Sequence, residues 1–317
     1  MTRSLAIAIG ICLVAASVAP LLWDAWWFLE LPAHFRPHTV AVAAATGVVA
    51  ILCRMKIVAA ACVLVAAGQL LALSMVPQAS GTATAGVSIV SQNLYGGNDA
   101  IDSVVTMLGD ENADIVFLQE YTPAWHAALA AVRNDDYPYS VTIQREDSFG
   151  IAVYSRLPLA NTDELVTGAM KTPFLAVEID SDGFAGHLIN VHFLPPISGD
   201  WTDDRSRQLA ELADYLSALD APYVVAGDFN NTPSAPSFMR FMRATGARVA
   251  PPRWPGTWPA PLSLLAIPID FPIASADVSF ARRTLVMPVG SDHRGIRFSV
   301  SAERPADGRP DRVTDAR

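Results

Sequence analysis

Acidic, amide and histidine side chains follow several apolar, β-branched segments of this chain at the point where each segment ends. The sharpest change is in PYVVAGDFN, Pro222 to Asn230, where valines give way to an aspartate and an asparagine. In open α/β sheets, ligands and reacting groups gather at strand ends. Five such endings, SQN, FLQE, NVHF, GDFN and SDH, together supply Asn93, Glu120, His192, Asp228, Asn230, Asp292 and His293. The pattern predicts that these side chains meet in one solvent-facing site.

This set of side chains offers hard oxygen ligands and no sulfur. The three cysteines, Cys12, Cys53 and Cys62, all lie in or beside apolar runs near the N-terminus. Carboxylate and amide oxygens suit Mg²⁺ or Mn²⁺ better than zinc. Two histidines added to such a set indicate phosphoester hydrolysis. There, a metal neutralises phosphate charge, a carboxylate–histidine pair deprotonates water, and the other histidine and the amides bind the developing phosphorane.

Each of these residues also has an ordinary structural interpretation. Taken singly, Glu120 is typical of an exposed strand terminus, His192 of a half-buried histidine, and SDH of a turn. Their joint occurrence at the ends of successive apolar segments favours a site, because surface charge has no reason to concentrate there.

The segments between these endings alternate between strand and helix patterns. Strands are predicted for VSIVSQN, DIVFLQE, FGIAVYS, FLAVEID, HLINVHF, PYVVAGDFN and GIRFSV, with a hairpin around DSDG. Helices are predicted for DAIDSVVTMLGDENA, PAWHAALAAVRN and DDRSRQLAELADYLSAL. The Pro-rich stretch Pro251–Pro268, with its two tryptophans, predicts a loop near the site.

The first 76 residues carry few charges and contain three apolar runs, Leu5–Trp23, Thr39–Cys53 and Ile57–Val76. The first and third approach the roughly 20 residues that a membrane-spanning helix needs. The middle run is shorter, but it lacks the polar face of a soluble helix. We therefore predict three transmembrane helices. The alternatives are a core or re-entrant helix for the middle run and a cleaved signal peptide for the first, which begins after Arg3.

The flanking charges predict the orientation of these spans. Arg3, Arg54 and Lys56 fall on the cytoplasmic side by the positive-inside rule, so the later part of the chain crosses the membrane. The prediction is a multi-pass protein of the inner (cell) membrane with its catalytic domain in the periplasm. Its partners are the lipid bilayer and a phosphoester substrate, and no protein partner is inferred. The predicted parts are a membrane domain (1–76), a linker (77–86), a catalytic domain (87–302) and a disordered tail (303–317).

Six motifs occur in order along the later part of the chain: DIVFLQE, FGIAVYSR, INVHF, GDFN, PIDF and SDHRGI. This series resembles that of the endonuclease/exonuclease/phosphatase superfamily and covers about Val87–Val300. The resemblance implies an α/β (α+β) fold of the deoxyribonuclease I-like kind, a four-layer sandwich of two packed β-sheets flanked by helices. Here three transmembrane helices precede it, as in a bacterial membrane-anchored subgroup that the chain is similar to.

The resemblance also implies roles for individual residues. It assigns metal binding, of Mg²⁺ or Mn²⁺, to Asn93, Glu120 and Asp292, and catalysis to His192, Asp228, Asn230, Asp270 and His293. Asp228 orients or deprotonates the attacking water. His293 is the catalytic histidine, and Asp270 orients its ring. His192 and Asn230 contact the phosphate.

Two arginines and one phenylalanine match the family less closely. Arg156 of YSR and Arg207 of RSRQ are candidates for phosphate binding or for structural pairing, and structural pairing is favoured for Arg207. Phe271 follows Asp270 where the family often has His or Tyr. This departure removes a polar contact and leaves the carboxylate in place.

The net charge of the later part of the chain limits the class of substrate. After Ala85 there are 18 Lys and Arg against 29 Asp and Glu, a net charge of about −11. Duplex DNA binders draw their non-specific affinity from basic surfaces. The sequence thus predicts a membrane-anchored, metal-dependent phosphoester hydrolase that uses duplex DNA poorly and prefers a membrane-proximal phosphoester or a single-stranded nucleic acid. The alternatives are a lipid-directed phosphodiesterase and a non-catalytic binding module on the same fold.

Overall fold

A computed structural model of the chain describes residues 2–79, 86–251, 255–281 and 283–302. The predicted tail, part of the predicted linker (80–85) and Trp254 lie outside these residues. The chain begins with helices α1 (Thr2–Val18), α2 (Arg36–Leu52) and α3 (Lys56–Ser74). Short 3₁₀ turns, Ala19–Leu22, Trp27–Leu29 and Leu31–Phe35, connect α1 to α2.

All three N-terminal helices are long and apolar enough to cross a membrane. The candidate spans are Arg3–Leu22, Trp27–Leu52 and Lys56–Ser74. The predicted middle run is the least hydropathic of them, and the 3₁₀ turns before α2 extend it to 26 residues. Leu13, Ala43, Cys62 and Val65 pack between the helices, while most other apolar side chains face outward. An outward apolar surface is the arrangement that lipid, rather than water, stabilises.

The rest of the described chain contains thirteen strands and five helices. The strands are β1 (Val87–Asn93), β2 (Ile115–Gln119), β3 (Tyr139–Ile143), β4 (Ile151–Ser155), β5 (Asn161–Thr167), β6 (Thr172–Ser181), β7 (Phe184–His192), β8 (Tyr223–Asp228), β9 (Arg248–Val249), β10 (Asp270–Ala274), β11 (Val278–Phe280), β12 (Thr284–Leu285) and β13 (Ile296–Ala302). The helices are α4 (Ile101–Glu111), α5 (Pro123–Ala128), α6 (Ala130–Asp135), α7 (Gly199–Ser217) and α8 (Pro236–Thr245).

These strands form two mixed sheets. One has the order β11-β13-β1-β2-β4-β3, with β12 also paired to β13, and the other has the order β5-β6-β7-β8-β10-β9. Each sheet has a parallel pair at its centre, β1 with β2 and β7 with β8, and antiparallel neighbours outside it. Parallel strands end at the same edge, so each central pair delivers two strand ends to one place.

The two sheets pack face to face, and helices cover their outer faces. Ile89, Phe117 and Val153 of the first sheet meet Leu188 and Val224 of the second in a fully buried layer. Helices α4 to α6 cover the first sheet and helices α7 and α8 the second. This is the predicted four-layer arrangement. The strands read as continuous apolar runs because most of them are buried on both faces.

A buried amide pair fixes the two sheets relative to each other. Gln119 Nε2, at the end of β2, donates to Asn190 Oδ1 of β7 at 2.6 Å and to Ser91 Oγ at 3.2 Å. Asn190 Nδ2 donates back to the carbonyl oxygens of Leu118 and Ala152 at 3.2 and 2.9 Å. A buried amide without partners costs about 1–3 kcal/mol, so sliding one sheet over the other is unfavourable.

The beginning of the predicted linker belongs to the folded domain. Val76 is 3% exposed and lies in the core under the second sheet. Ala79 N donates to the Val249 carbonyl oxygen at 2.9 Å, and Val249 N donates to the Pro77 carbonyl oxygen at 3.0 Å. Residues 77–79 therefore pair with β9 at the sheet edge instead of forming a free tether.

Two other expectations differ from the structure. The helix predicted over PAWHAALAAVRN is broken at Leu129 into α5 and α6. The polar edge strand β5 and the short strands β3, β9, β11 and β12 have too little apolar periodicity to be recognised from sequence.

A glycine in β8 provides a test of this packing. Gly227 has φ +141°, and a Cβ there would lie 2.0 Å from the Val191 carbonyl oxygen of β7. Gly109 of α4 is helical and has open space around it. We expect Gly227→Ala to destabilise the protein by about 2 kcal/mol or more and Gly109→Ala to stabilise it by about 0.5–1 kcal/mol. Thermal unfolding of the full chain in detergent measures both, and equal effects would contradict the close approach of β7 and β8.

Candidate functional site

The ends of the four central strands bring the predicted polar residues to one edge of the sandwich. Asn93 ends β1, and Glu120 directly follows β2, its parallel neighbour. His192 ends β7 and lies opposite Asp228 in the parallel register with β8. Asp270, the first residue of β10, is the antiparallel partner of Asp228. The backbone pairing of the strands alone therefore brings these side chains close together.

Asp228 is the centre of the cluster. Its Oδ2 accepts from Asn93 Nδ2 at 3.1 Å, a hydrogen bond that crosses from one sheet to the other. His192 Nε2 and His293 Nε2 lie 3.5 and 3.7 Å from the same oxygen. Its Oδ1 accepts from the backbone N–H of Asn230 at 2.8 Å. Both oxygens are therefore oriented, and two imidazoles and an amide converge on one of them.

His293 forms a buried pair with Asp270. His293 Nδ1 lies 2.9 Å from Asp270 Oδ2, and both side chains are less than 10% exposed. This contact fixes the tilt of the ring and turns Nε2 toward Asp228. The arrangement is a carboxylate–imidazole pair adjoining a second carboxylate, which is suited to proton transfer.

Backbone and hydroxyl groups hold these elements in place. Ser291 Oγ donates to the Asn93 carbonyl oxygen at 2.7 Å and accepts from His293 N at 3.0 Å, which ties the SDH turn to the end of β1. Thr257 Oγ1 accepts from Asp270 N at 3.1 Å at the start of β10. Gly96 N donates to Glu120 Oε2 at 2.7 Å.

Burial and neighbouring charge drive the pKa values of the cluster apart. Burial raises the pKa of Asp228 and favours its protonated form. Burial and, to a smaller extent, the nearby His293 together lower the pKa of His192 to about 4. For His293 burial acts downward, but the carboxylates of Asp270 and Asp228 outweigh it and raise the pKa. At neutral pH His192 is therefore neutral and His293 is an imidazolium.

Two carboxylates remain available to a cation. Glu120 is partly exposed and accepts from Gly96 N and, at 3.3 Å, from Asn93 Nδ2. Asp292 Oδ2 accepts from Trp258 Nε1 at 3.0 Å, and its buried Oδ1 has no hydrogen-bond partner among the described residues. An unpartnered buried carboxylate oxygen and a second carboxylate are donors that fit a hard divalent cation.

A different trio has metal-ligand spacing in the structure. One atom each of Asp228, Asp270 and His293 lies within 4.8 Å of the others. Because Asp270 is already hydrogen bonded to His293, we interpret this trio as proton-transfer machinery rather than as a metal centre.

The structure does not bring the two predicted arginines into the cluster. Arg156 stands over the Tyr137 ring at 4.9 Å and hydrogen bonds to Asn112, at the opposite end of the first sheet. Arg207 is 61% exposed and pairs with Asp204 at 3.4 Å. Arg156 therefore lies away from the cluster, and Arg207 is paired with Asp204.

The site also differs from expectation in its exposure and in the role of one amide. Asp228 and His293 are 1% and 5% exposed, so the predicted solvent-facing strand tips are in fact buried. The side chain of Asn230 is half-buried, and its Nδ2 donates to the Phe193 carbonyl oxygen at 2.8 Å and lies 3.5 Å from Asp228 Oδ2. In this arrangement Asn230 supports the loop after β8 and lies beside the central carboxylate.

Sequence reasoning missed residues that act from outside the motifs. Ser291, Thr257 and Trp258 contact motif residues, but hydroxyls and an indole in loops give no periodic signal. Arg205 is 1% exposed and donates to the Asn230 carbonyl oxygen at 2.7 Å. Arg205 lies on the apolar face of α7, in line with Leu209 and Leu212. A charged residue on such a face is the sequence feature that could have identified it.

The family's sequence profile agrees with this geometry. The profile described as "Endonuclease/Exonuclease/phosphatase family" matches residues 90–293, about two thirds of the chain. The chain belongs to the endonuclease/exonuclease/phosphatase family. No curated protein matches the sequence significantly.

Solved structures share the fold at low sequence identity. D. rerio TDP2 complexed with a single-strand DNA product has 18% identity and a TM-score of 0.56, covering 69% of this chain and 100% of that one. A Staphylococcus aureus beta toxin mutant with bound magnesium ions has 16% identity and a TM-score of 0.54, covering 68% of this chain and 99% of that one. The deoxyribonuclease I-like architecture is thereby established for the described domain.

Replacing Asp228 tests whether its carboxylate serves catalysis or folding. We expect Asp228→Asn to lower phosphoester turnover by about 10³-fold, because an amide cannot accept a proton. Its melting temperature should not fall, since burial already penalises the charged carboxylate. Asp114→Asn is the matched control: Asp114 accepts from Ser88 N at 2.8 Å at the opposite end of β2. That variant should lose stability and keep its turnover, and the reverse pattern would assign Asp228 a structural role.

Proposed function

We propose that this chain is a membrane-anchored phosphoester hydrolase that uses a divalent cation, Mg²⁺ or Mn²⁺. One observation carries the proposal: in a chain of this family, His192, His293 and Asn93 converge on Oδ2 of the buried Asp228. The pairing of His293 with Asp270 supports the same interpretation.

Asp228 is the base for the attacking water in this proposal. Its raised pKa lets it accept a proton at neutral pH, and Asn93 and Asn230 fix the direction of its two oxygens. The water oxygen forms a bond to phosphorus as the ester P–O bond on the opposite face breaks. The proton moves from water to Asp228, and the departing oxygen takes a proton from solvent.

The two histidines have different tasks because their charges differ. His293, an imidazolium held by Asp270, lies beside Asp228 and so acts on the same face of the phosphorus atom as the water. There it donates from Nε2 to a phosphoryl oxygen that gains charge in the transition state. His192 is neutral, so it donates one hydrogen bond without repelling a cation nearby.

Glu120 and Asp292 are the residues that would hold the cation, with the Asn93 side chain beside Glu120. When bound, a hard divalent cation neutralises the phosphate charge and draws electron density from the leaving oxygen. The remaining work of orienting water and moving protons falls to the side chains described above.

Metal removal tests the proposal directly. We expect EDTA to abolish hydrolysis of bis(p-nitrophenyl) phosphate by the full chain in detergent, and Mg²⁺ or Mn²⁺ to restore it, because the available donors are oxygens. Glu120→Gln should raise the Mg²⁺ concentration needed for half-maximal rate by about 10-fold or more, as removal of a charged ligand weakens binding. Full activity with Zn²⁺ alone, or unchanged activity in EDTA, would contradict it.

A loop beside the site supports a membrane lipid as the substrate. Trp258, at its start, donates to Asp292, and its ring lies 6.5 Å from that of His293. Farther along, Leu262, Leu264 and Leu265 are 56%, 92% and 54% exposed. Three exposed leucines within four residues, in a loop that contacts the cluster, are unfavourable in water and indicate an apolar surface at the site entrance.

The same loop contacts a candidate membrane span. The carbonyl oxygen of Leu264 lies 3.1 Å from His38 Nε2, in the first turn of α2. From His38 to Leu52, the far end of α2, the helix rises roughly 21 Å at 1.5 Å per residue. The hydrocarbon core is about 30 Å thick, so a helix that begins at the opposite surface has not left the bilayer at His38. In this proposal the exposed leucines therefore contact the bilayer instead of bulk water.

We infer that the preferred substrate is the phosphoester of a membrane lipid headgroup. The net charge of about −11 after Ala85 argues against duplex DNA. Orientation by the positive-inside rule would put the site at the outer leaflet. A single-stranded nucleic acid, for which Trp258 could supply a stacking surface, is the competing substrate.

A charge in the loop distinguishes these substrates. Leu264→Asp should reduce hydrolysis of phosphatidylglycerol–phosphatidylethanolamine vesicles by about 10-fold or more, because a carboxylate resists entry into the interface. Turnover of the soluble bis(p-nitrophenyl) phosphate should stay unchanged. Met287→Asp, which alters another exposed apolar residue (77%), is the control and should affect neither. Cleavage of single-stranded DNA with no lipid hydrolysis would overturn the lipid assignment.

A further inference from the structure

The segment that connects α1 to α2 packs on the loop that follows strand β8. We call residues 24–36 the outer segment and residues 229–235 the β8 loop. His34 Nδ1 lies 3.1 Å from Thr232 Oγ1, and Arg36 Nε donates to the Ser234 carbonyl oxygen at 3.3 Å. The membrane domain and the catalytic domain thus meet through specific polar contacts.

Glu30 is the centre of this contact. It is 2% exposed, and its Oε2 pairs with Arg205 Nη2 of α7 at 3.1 Å. Its Oε1 accepts from Ser237 N at 2.7 Å, in the first turn of α8. A carboxylate at a helix N-terminus is favourable, and a fully buried one needs such partners.

Arg205 carries the contact onward to the site. It is 1% exposed, and its Nη1 donates to the carbonyl oxygen of Asn230 at 2.7 Å. Asn230 is in the left-handed region, with φ +45°, a conformation that external contacts must maintain. From there its N–H holds Asp228 Oδ1 at 2.8 Å. An unbroken series of hydrogen bonds joins Glu30 to the central carboxylate.

We infer that Glu30 of the membrane domain is a positioning residue for the active site: through Arg205 it keeps the β8 loop and Asn230 in the conformation that orients Asp228. The catalytic domain is then incomplete without the outer segment, which acts as an intramolecular partner. The kinetic part of this inference rests on the proposed hydrolase function, whereas the structural part does not.

The buried location explains why the ion pair is critical. With Glu30 neutralised, Arg205 is left as an uncompensated charge in a buried contact, and it must move toward water or disrupt its surroundings. Either response removes its hydrogen bond to the Asn230 carbonyl oxygen. An exposed pair on the same segment lacks this property: Asp24 and Arg240 lie 3.2 Å apart, but their side chains are 70% and 61% exposed.

The experiment compares Glu30→Gln with Asp24→Asn in the full chain in detergent. Each variant removes one carboxylate charge from the outer segment. Amide hydrogen exchange, followed by mass spectrometry, should be faster by about 10-fold or more in peptides of the β8 loop for Glu30→Gln and unchanged for Asp24→Asn. With bis(p-nitrophenyl) phosphate, Glu30→Gln should lower kcat by about 10-fold or more and change KM by less than about 2-fold.

Each outcome decides the inference. Wild-type exchange in the β8 loop of Glu30→Gln, or faster exchange spread evenly over the domain, would overturn it. If Glu30→Gln does not fold, Glu30→Asp decides: the shorter carboxylate should give smaller changes confined to the same loop, and wild-type behaviour would refute the link. Loosening of the β8 loop in a protein without any hydrolytic activity would support the link and reject the proposed function.

Discussion

Hydrogen bonds of buried amide side chains join the two sheets of the sandwich at two places, and the site depends on both. The Gln119–Asn190 bond of 2.6 Å lies in the buried layer, and the Asn93–Asp228 bond of 3.1 Å lies at the edge. Apolar packing between sheets is non-directional and tolerates small displacements. The amide bonds do not, because a shift leaves buried donors unpaired. They convert a loosely specified packing into a fixed relation between Glu120 and Asn93 on one sheet and Asp228 on the other.

The electrostatics of the cluster follow from that fixed relation. Burial alone would make every member neutral, which would leave neither a strong base nor a cation. Asp270 raises the pKa of both histidines, but only the His293 ring contacts it, at 2.9 Å, and there Asp270 and Asp228 together outweigh burial. Two histidines on similar strand ends therefore acquire opposite charge states. The difference arises from the contact of His293 with Asp270 and from the nearby Asp228, and it gives the site both a neutral donor and a charged donor next to a basic aspartate.

Most of the framework could be predicted from the sequence, since it is encoded locally. Strands β1, β2, β7 and β8 are continuous apolar runs, and their polar ends identify Asn93, Glu120, His192 and Asp228. The β6–β7 hairpin and the amphipathic α7 were equally visible. The edge strands were not, because polar pairing at an edge has no periodic signature. The burial of Asp228 and the position of Arg156 depend on contacts across the fold, which spacing does not encode.

Contacts between residues far apart in the sequence could not be predicted for the same reason. Glu30 and Arg205 are 175 residues apart, and each has an ordinary local interpretation, one as a loop charge and the other as one of two arginines in RSRQ. Only the docking of the outer segment on α7 and α8 makes them partners. Trp258 and Asp292 are a similar case, because a Pro-rich loop gives no register from which a partner can be inferred.

The pairing of β1 with β13 determines when the site is completed during synthesis. Val87 lies opposite Val300, so β1, the first strand of the domain, can pair with β13 only after that last strand has been synthesised. Asp292 and His293 immediately precede β13, and they reach the cluster only when this strand closes the sheet. Such a high contact order makes closure a late event in folding. A nascent chain therefore contains Asn93 and Asp228 before His293 has been synthesised, and the cluster is complete only after the final strand has paired.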